Sequence, residues 1–206
     1  MSTNDQHIRT SVPLDAPSQP DAGRPQDMFH WHVIRVTYGR ERKLADILQE
    51  LKIKYYLPTT FRHYSRPKDG KLMKKEISAI PNLLFVYDTR AHLQAFKREM
   101  ENVIPIRYLM DRATNQPAIV REKQMEDFIR VTSANPDELF YLDNPDIVPQ
   151  KGDPVEIIYG PFTGVQAYVL RIRRDRKVVV SIDGIIAAAI TAQIPKEWLK
   201  RLSTSN

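Results

Sequence analysis

Gly152-Asp153-Pro154-Val155-Glu156-Ile157-Ile158-Tyr159-Gly160-Pro161-Phe162-Thr163-Gly164-Val165, followed after a basic run by Val178-Val179-Val180-Ser181-Ile182, is the stretch whose reading decides the fold. Its β-branched and aromatic residues favour extended backbone, and Gly160-Pro161 with Gly164 supplies the chemistry of a tight turn. Downstream, Val165, Ala167 and Val169 alternate with Gln166, Tyr168 and Leu170, the signature of a half-buried strand. Asp183-Gly184 marks a second hairpin turn. Strands are expected near 154–159, 165–172, 177–182 and 185–191, with a short terminal helix from Pro195 that holds Trp198 and Leu199. So many short strands within residues 151–202 predict a small SH3-like β-barrel, an architecture that usually binds RNA or protein rather than catalysing.

Upstream lies a larger α/β segment. Trp31-His32-Val33-Ile34-Arg35-Val36 is apolar on both faces and reads as a central strand. Gly39 marks a turn, and Leu44, Ile47, Leu48 and Leu51 then recur at helical spacing, predicting an amphipathic helix over 41–51. Tyr55-Tyr56-Leu57 is a strand ended by Pro58. Residues 61–77 read as two exposed strands around an Asp69-Gly70 turn. Leu83-Leu84-Phe85-Val86-Tyr87 is the strongest strand of this half, and Asp88 or Thr89 can cap a second helix with Leu93, Phe96 and Met100 inward. Ile106–Met110 returns as a strand, and 121–130 reads as a third helix with Met125, Phe128 and Ile129 buried. This order predicts an α+β chain whose first domain, 29–130, is an α/β sandwich on a mostly antiparallel sheet. Residues 131–150, with Asn135-Pro136, Asn144-Pro145 and Pro149, read as a linker. Residues 1–28 are rich in Ser, Pro, Asp and Gln and too poor in aliphatic residues to offset ordering entropy, so they read as a disordered tail.

Charge follows the same division. The chain has 206 residues and a net charge of +6. Residues 28–128 carry a net +7 and 151–206 a net +4, whereas 1–27 carry −2 and 129–150 carry −3. Basic modules joined by acidic tethers suit contact with nucleic acid. With no cysteine, disulfides, thiolate nucleophiles and cysteine metal sites are excluded. No apolar run approaches the ~20 residues of a membrane helix, and no signal peptide is evident, so a cytoplasmic protein is expected.

Catalytic patterns fail. His7, His30, His32, His63 and His92 show no metal-ligand spacing. No nucleophile elbow, Walker loop or dinucleotide fingerprint occurs, so neither an enzyme, a metal nor a cofactor is expected. The basic hairpin is more informative. Arg62, Arg66, Lys68, Lys71, Lys74 and Lys75 surround Tyr64, combining phosphate-binding cations with a ring on which a base can stack. The same lysines also suit a solvated edge that blocks aggregation, and both readings stand. For Phe85 and Tyr87, core packing is favoured over base stacking.

Taken together, the residues resemble a known family. His30-Trp31-His32-Val33-Ile34-Arg35-Val36 with Gly39-Arg40-Glu41 resembles the opening strand and first helix of the NusG N-terminal (NGN) domain. Ile80-Pro81-Asn82-Leu83-Leu84-Phe85-Val86 resembles its aromatic-Pro-Gly-Tyr-hydrophobic segment, with Asn82 and Leu83 in place of the glycine and tyrosine. Gly152, Asp153 and Val155, with Gly160, Pro161, Phe162 and Gly164, resemble the KOW motif, although the loop is shorter. The similarity spans 29–202, and the Ile80–Val86 run and the Asp183–Ala189 ending are most similar to UpxY-type antiterminators of polysaccharide operons in Bacteroides-like bacteria.

The resemblance implies a non-enzymatic elongation and antitermination factor. Its N-terminal domain would dock on the clamp helices of RNA polymerase and suppress pausing or termination by favouring one conformation. Carried over by position, the exposed apolar docking patch would comprise Trp31, Ile80, Leu83 and Phe85, with the basic hairpin near nascent RNA or non-template DNA. The KOW barrel would recruit a further factor such as a ribosomal protein. Asp183, where the family has an aromatic anchor, argues against recruitment of Rho. A ribosome-associated RNA-binding protein is the alternative, since KOW barrels also occur there.

Overall fold

The computed structural model describes residues 28–66, 68, 70–111, 114–134, 139–142, 147–172, 174–182, 184–190 and 194–203. The expected tail, apart from Met28, lies outside the described residues, as do Asp69 and Asp183 of the two expected turns. Contacts divide the chain into two compact units. One runs to Thr59 and resumes over Ser78–Glu122; the other takes Thr60–Ile77 and the chain from Lys123 on.

The first unit follows the hydrophobic pattern closely. Strand β1 (Phe29–Val36) leads to helix α1 (Glu41–Glu50) and strand β2 (Lys54–Tyr56). A hairpin of β3 (Thr59–Ser65) and β4 (Leu72–Ser78) then leaves and returns. After it come β5 (Leu83–Thr89), α2 (Arg90–Glu99), β6 (Ile106–Tyr108) and the two-residue β7 (Ile119–Val120), a strand too short to be legible in sequence. The sheet order is β2-β5-β1-β6, with β7 also on β1, and every pairing is antiparallel. As expected, β1 is central and apolar on both faces. Ile34 and Val36 join Leu84 and Val86 of β5, Leu44 and Leu48 of α1, and Leu93 and Phe96 of α2 in one buried cluster. Thr89 caps α2: its hydroxyl accepts the His92 N–H at 3.2 Å, an arrangement worth about 1 kcal/mol.

In the second unit, helix α3 (Glu122–Ala134) belongs from Lys123 onward and runs four residues beyond its expected end. Strand β8 (Leu139–Tyr141), helix α4 (Ile147–Lys151), β9 (Asp153–Ile157), β10 (Gln166–Ile172), β11 (Asp175–Ile182), β12 (Ile186–Ile190) and β13 (Leu199–Arg201) complete it. The strand order is β13-β9-β10-β11-β12-β8, again antiparallel throughout. Two expectations change here. The segment 131–150, read as a linker, contributes structure at its described positions. Leu139-Phe140-Tyr141 is apolar and strand-forming, and it pairs with Ile190, Ala189 and Ala188 of β12. Val148 of α4 is fully buried with Leu170, Val179, Ala187 and Ala189. The terminal helix from Pro195 is only a single 3-10 turn, Lys196–Trp198, because the chain then enters β13 and pairs with β9.

Candidate functional site

The hairpin β3–β4 forms a two-stranded sheet of its own, so both faces keep their side chains near solvent. Arg62, Arg66, Lys68, Lys71, Lys74 and Lys75 are all exposed, and Tyr64 is 44% exposed. Strand alternation sorts them. Lys74 lies with its ammonium 3.6 Å from the centre of the Phe61 ring, so those two share one face. Arg66 reaches the Met73 sulfur at 3.3 Å, which places Arg62, Tyr64 and Arg66 on the other face with Met73 and Lys75. That second face combines cations with an accessible ring. Gly70, at φ 67°, donates its N–H to the Arg66 carbonyl at 2.9 Å and closes the tip.

The apolar set behaves differently from the exposed patch expected of it. Trp31, Leu83 and Phe85 are buried, with Phe85 fully enclosed, and Ile80 is half-buried. Trp31, Leu83 and Phe85 sit on β1 and β5, the two central strands, where Val33 pairs with Phe85 and Trp31 with Tyr87, whereas Ile80 lies between β4 and β5. What is accessible here is an aromatic margin. The Phe29 and Tyr87 rings lie 5.8 Å apart, and those of Trp31 and Tyr87 5.3 Å apart. The Lys54 ammonium stands 4.6 Å from the Tyr87 ring centre and 5.2 Å from that of Trp31. Tyr87 donates its hydroxyl to Glu122 at 2.9 Å; burial first, then that carboxylate, pushes its phenol above the ordinary range.

Asn82 explains one departure from the family pattern. It holds φ 64°, in the left-handed region that glycine enters freely and asparagine tolerates. Its side-chain oxygen also accepts the Gly39 N–H at 2.8 Å, and its carbonyl accepts the Val36 N–H at 3.0 Å. Asparagine thus keeps the turn and ties it to the loop after β1. Asn82→Val, which loses the side-chain bond and strains the backbone, is expected to cost about 2–3 kcal/mol by chemical denaturation, while Asn82→Gly costs under about 1 kcal/mol.

His32 is buried on β1, and neither ring nitrogen has a hydrogen-bond partner among the described residues. Burial, then the neighbouring His30, holds it below its ordinary 6.5; Asp88 opposes this less strongly, and Arg90 adds to it slightly. With its folded pKa depressed, the unfolded chain binds the extra proton, so stability falls as pH drops below about 6.5. Melting curves between pH 7 and 5 are expected to show a steeper loss in the parent than in His32→Phe. Among the described residues, no group of three His, Asp or Glu is placed to hold a metal ion. No helix of the described residues is long and apolar enough to cross a membrane.

The glycine-rich loop before β10 is held by polar side chains that the sequence did not single out. Gly160, at φ 85°, lies so close to Trp198 that a Cβ there would meet the ring at 2.5 Å. Gly152 is equally constrained: a Cβ would meet the Val148 carbonyl at 2.6 Å and the Tyr168 Cβ at 2.8 Å. From α3, the Arg130 guanidinium donates to the carbonyls of Pro161 and Thr163, both at 2.8 Å. Lys123 donates to the Gly164 carbonyl at 2.8 Å and to Asp127 at 2.6 Å. Asp127 is buried, and its second oxygen accepts the Gln166 N–H at 3.0 Å. Of the motif residues, Val155 is buried in β9, whereas Asp153, Gly160 and Pro161 are exposed and Gly152, Phe162 and Gly164 are half-buried. Lys123, Asp127 and Arg130 share one face at helical i, i+4 and i+3 spacing. That spacing was legible, but nothing in it pointed to a loop more than thirty residues away.

Comparison with known proteins places a domain on this geometry. Residues 29–129 match the NusG family model, described as transcription termination factor nusG, and form a NusG family domain. Among solved structures the chain is similar to one described as "Domain interaction in Thermotoga maritima NusG". Identity is 18%, covering 85% of this chain and 98% of that one, with a TM-score of 0.41. No curated protein matches.

Proposed function

We propose that this chain, which carries a NusG family domain over residues 29–129, is a bacterial transcription factor that binds RNA polymerase and suppresses pausing or termination. The family domain is the observation that carries the reading. It acts by binding alone: affinity for one state of the polymerase shifts the population towards that state, with no chemistry on the factor. The clamp helices are the docking partner. Specialisation of the UpxY kind, on operons for polysaccharide synthesis, is supported by the Ile80–Val86 run; Asn82 keeps the turn that the family's glycine would make.

The hairpin face of Arg62, Tyr64, Arg66 and Lys75 is the nucleic-acid contact of this reading, facing non-template DNA or nascent RNA. The six-stranded second unit is its KOW module, whose partner is a ribosomal protein rather than Rho. Replacing Arg62, Arg66 and Lys75 with Gln is expected to weaken binding to DNA about tenfold or more and to flatten the log-log salt slope by ~3, the number of cations removed. Fluorescence anisotropy across a salt series measures both. An unchanged slope would mean that these cations only guard an exposed edge. The functional test is capture of polymerase by the full chain. Retention of ribosomes instead would favour the ribosome-associated reading.

A further inference from the structure

Beside β13 the second unit has a cavity of about 660 Å³, within the size range of ligand sites and too large to be a packing void. Its floor is aliphatic, with Val155, Val169, Val178 and Leu199 among its lining. On its rim stand Arg176, Lys177, Lys196 and Arg201, against only Asp153 and Asp175. One of those acids is engaged already, since Arg201 reaches Asp153 at 3.3 Å.

The neighbouring backbone adds a second, independent feature. Strand β13 ends the strand order of its sheet. Ile158 donates its N–H to the Trp198 carbonyl and Leu202 its N–H to the Pro154 carbonyl, while Lys200 pairs with Glu156. The even positions therefore turn their backbone groups to β9. Leu199 turns its carbonyl outward, its N–H being already donated to the Lys196 carbonyl, and Arg201 turns both its groups outward, along an edge where an extended chain can pair. Both residues also line the cavity, so the edge and the cavity form one surface.

We propose that this edge and cavity together dock an acidic, extended peptide segment of a partner protein, which adds to the sheet as a strand and sets aliphatic side chains into the cavity. The chemistry selects this occupant. The lining contains no aromatic side chain, so it offers no platform for stacking bases. A rim of like cations also repels a second copy of the same edge, whereas a strand of opposite charge is drawn in. The inference does not depend on polymerase binding by the NusG family domain.

The test uses the full chain and a short, end-capped peptide alternating Glu with Leu, followed by fluorescence anisotropy. Saturable binding is expected. It should weaken about tenfold or more in Lys196→Gln/Arg201→Gln, which removes the two rim cations without setting a new carboxylate beside Asp153; both side chains are exposed, so the melting temperature is expected to stay close to the parent's. It should also disappear for the same peptide N-methylated at every residue, which has no N–H to give to a strand ladder. Full binding by the double variant or by the methylated peptide would overturn the proposal. So would tighter binding of oligouridylate at this edge, or dimerisation of the chain that the double variant abolishes. Peptide binding seen only after removal of residues 1–27 would assign the edge to the chain's own acidic tail and overturn it likewise.

Discussion

Phe85→Ala is expected to destabilise the first unit by about 3–5 kcal/mol, the range for removing a fully enclosed aromatic from a core. The side chain has no solvent exposure, pairs in register with the fully buried Val33 of β1, and on its other side meets Tyr56 of β2. Neighbours held by two strand ladders cannot collapse into the space, so the cavity term adds to the lost transfer energy. Were Phe85 an open member of a docking patch, the same change would cost under about 0.5 kcal/mol, so the measurement separates the two descriptions. A Trp198→Phe background leaves Trp31, buried in the same unit, as the fluorescent reporter during urea unfolding. Leu83→Asp is a less clean probe, since Arg35 stands opposite Leu83 and could pair with the new carboxylate.

The second large effect belongs to Asp127. Asp127→Ala is expected to cost about 2–3 kcal/mol in the second unit. Removing the carboxylate leaves the Gln166 N–H without its acceptor at the start of β10 and takes the buried partner from Lys123. The Lys123 side chain is half exposed, so water can replace its bond. Asp127→Asn keeps one acceptor and is expected to recover about half of the loss. With Trp31→Phe as background, Trp198 reports on this unit, and the change should appear as a lower midpoint at constant slope.

Much of the fold was legible because hydrophobic period and turn chemistry agreed. β1, α1 and β5 declared themselves by apolar runs of the right period, and the cap of α2 was narrowed to Asp88 or Thr89, of which the structure uses Thr89. Other features depended on distant partners. Leu139–Tyr141 looks like a fragment of linker until β12 offers it an edge, and 199–201 looks like the end of a helix until β9 does. The candidate site was read unevenly for the same reason. Cations at a hairpin tip stay exposed whatever surrounds them, so Arg62 to Lys75 lie where the sequence put them. Trp31, Leu83 and Phe85 were assigned by position, and position alone does not say whether a strand is covered on its second face. Asp127 and Arg130 look like a solvated helix face, and only the tertiary structure brings the loop carbonyls and the Gln166 N–H to them.

The most direct test is single-round transcription by a purified bacterial RNA polymerase on a template with a pause and a terminator, with the full chain added at near-physiological salt. The chain is expected to co-purify with the elongating complex, shorten the pause and raise read-through, and the Arg62, Arg66 and Lys75 replacements to reduce the effect. A chain that is folded by its melting curve, yet neither joins the complex nor changes pausing or read-through, would contradict it.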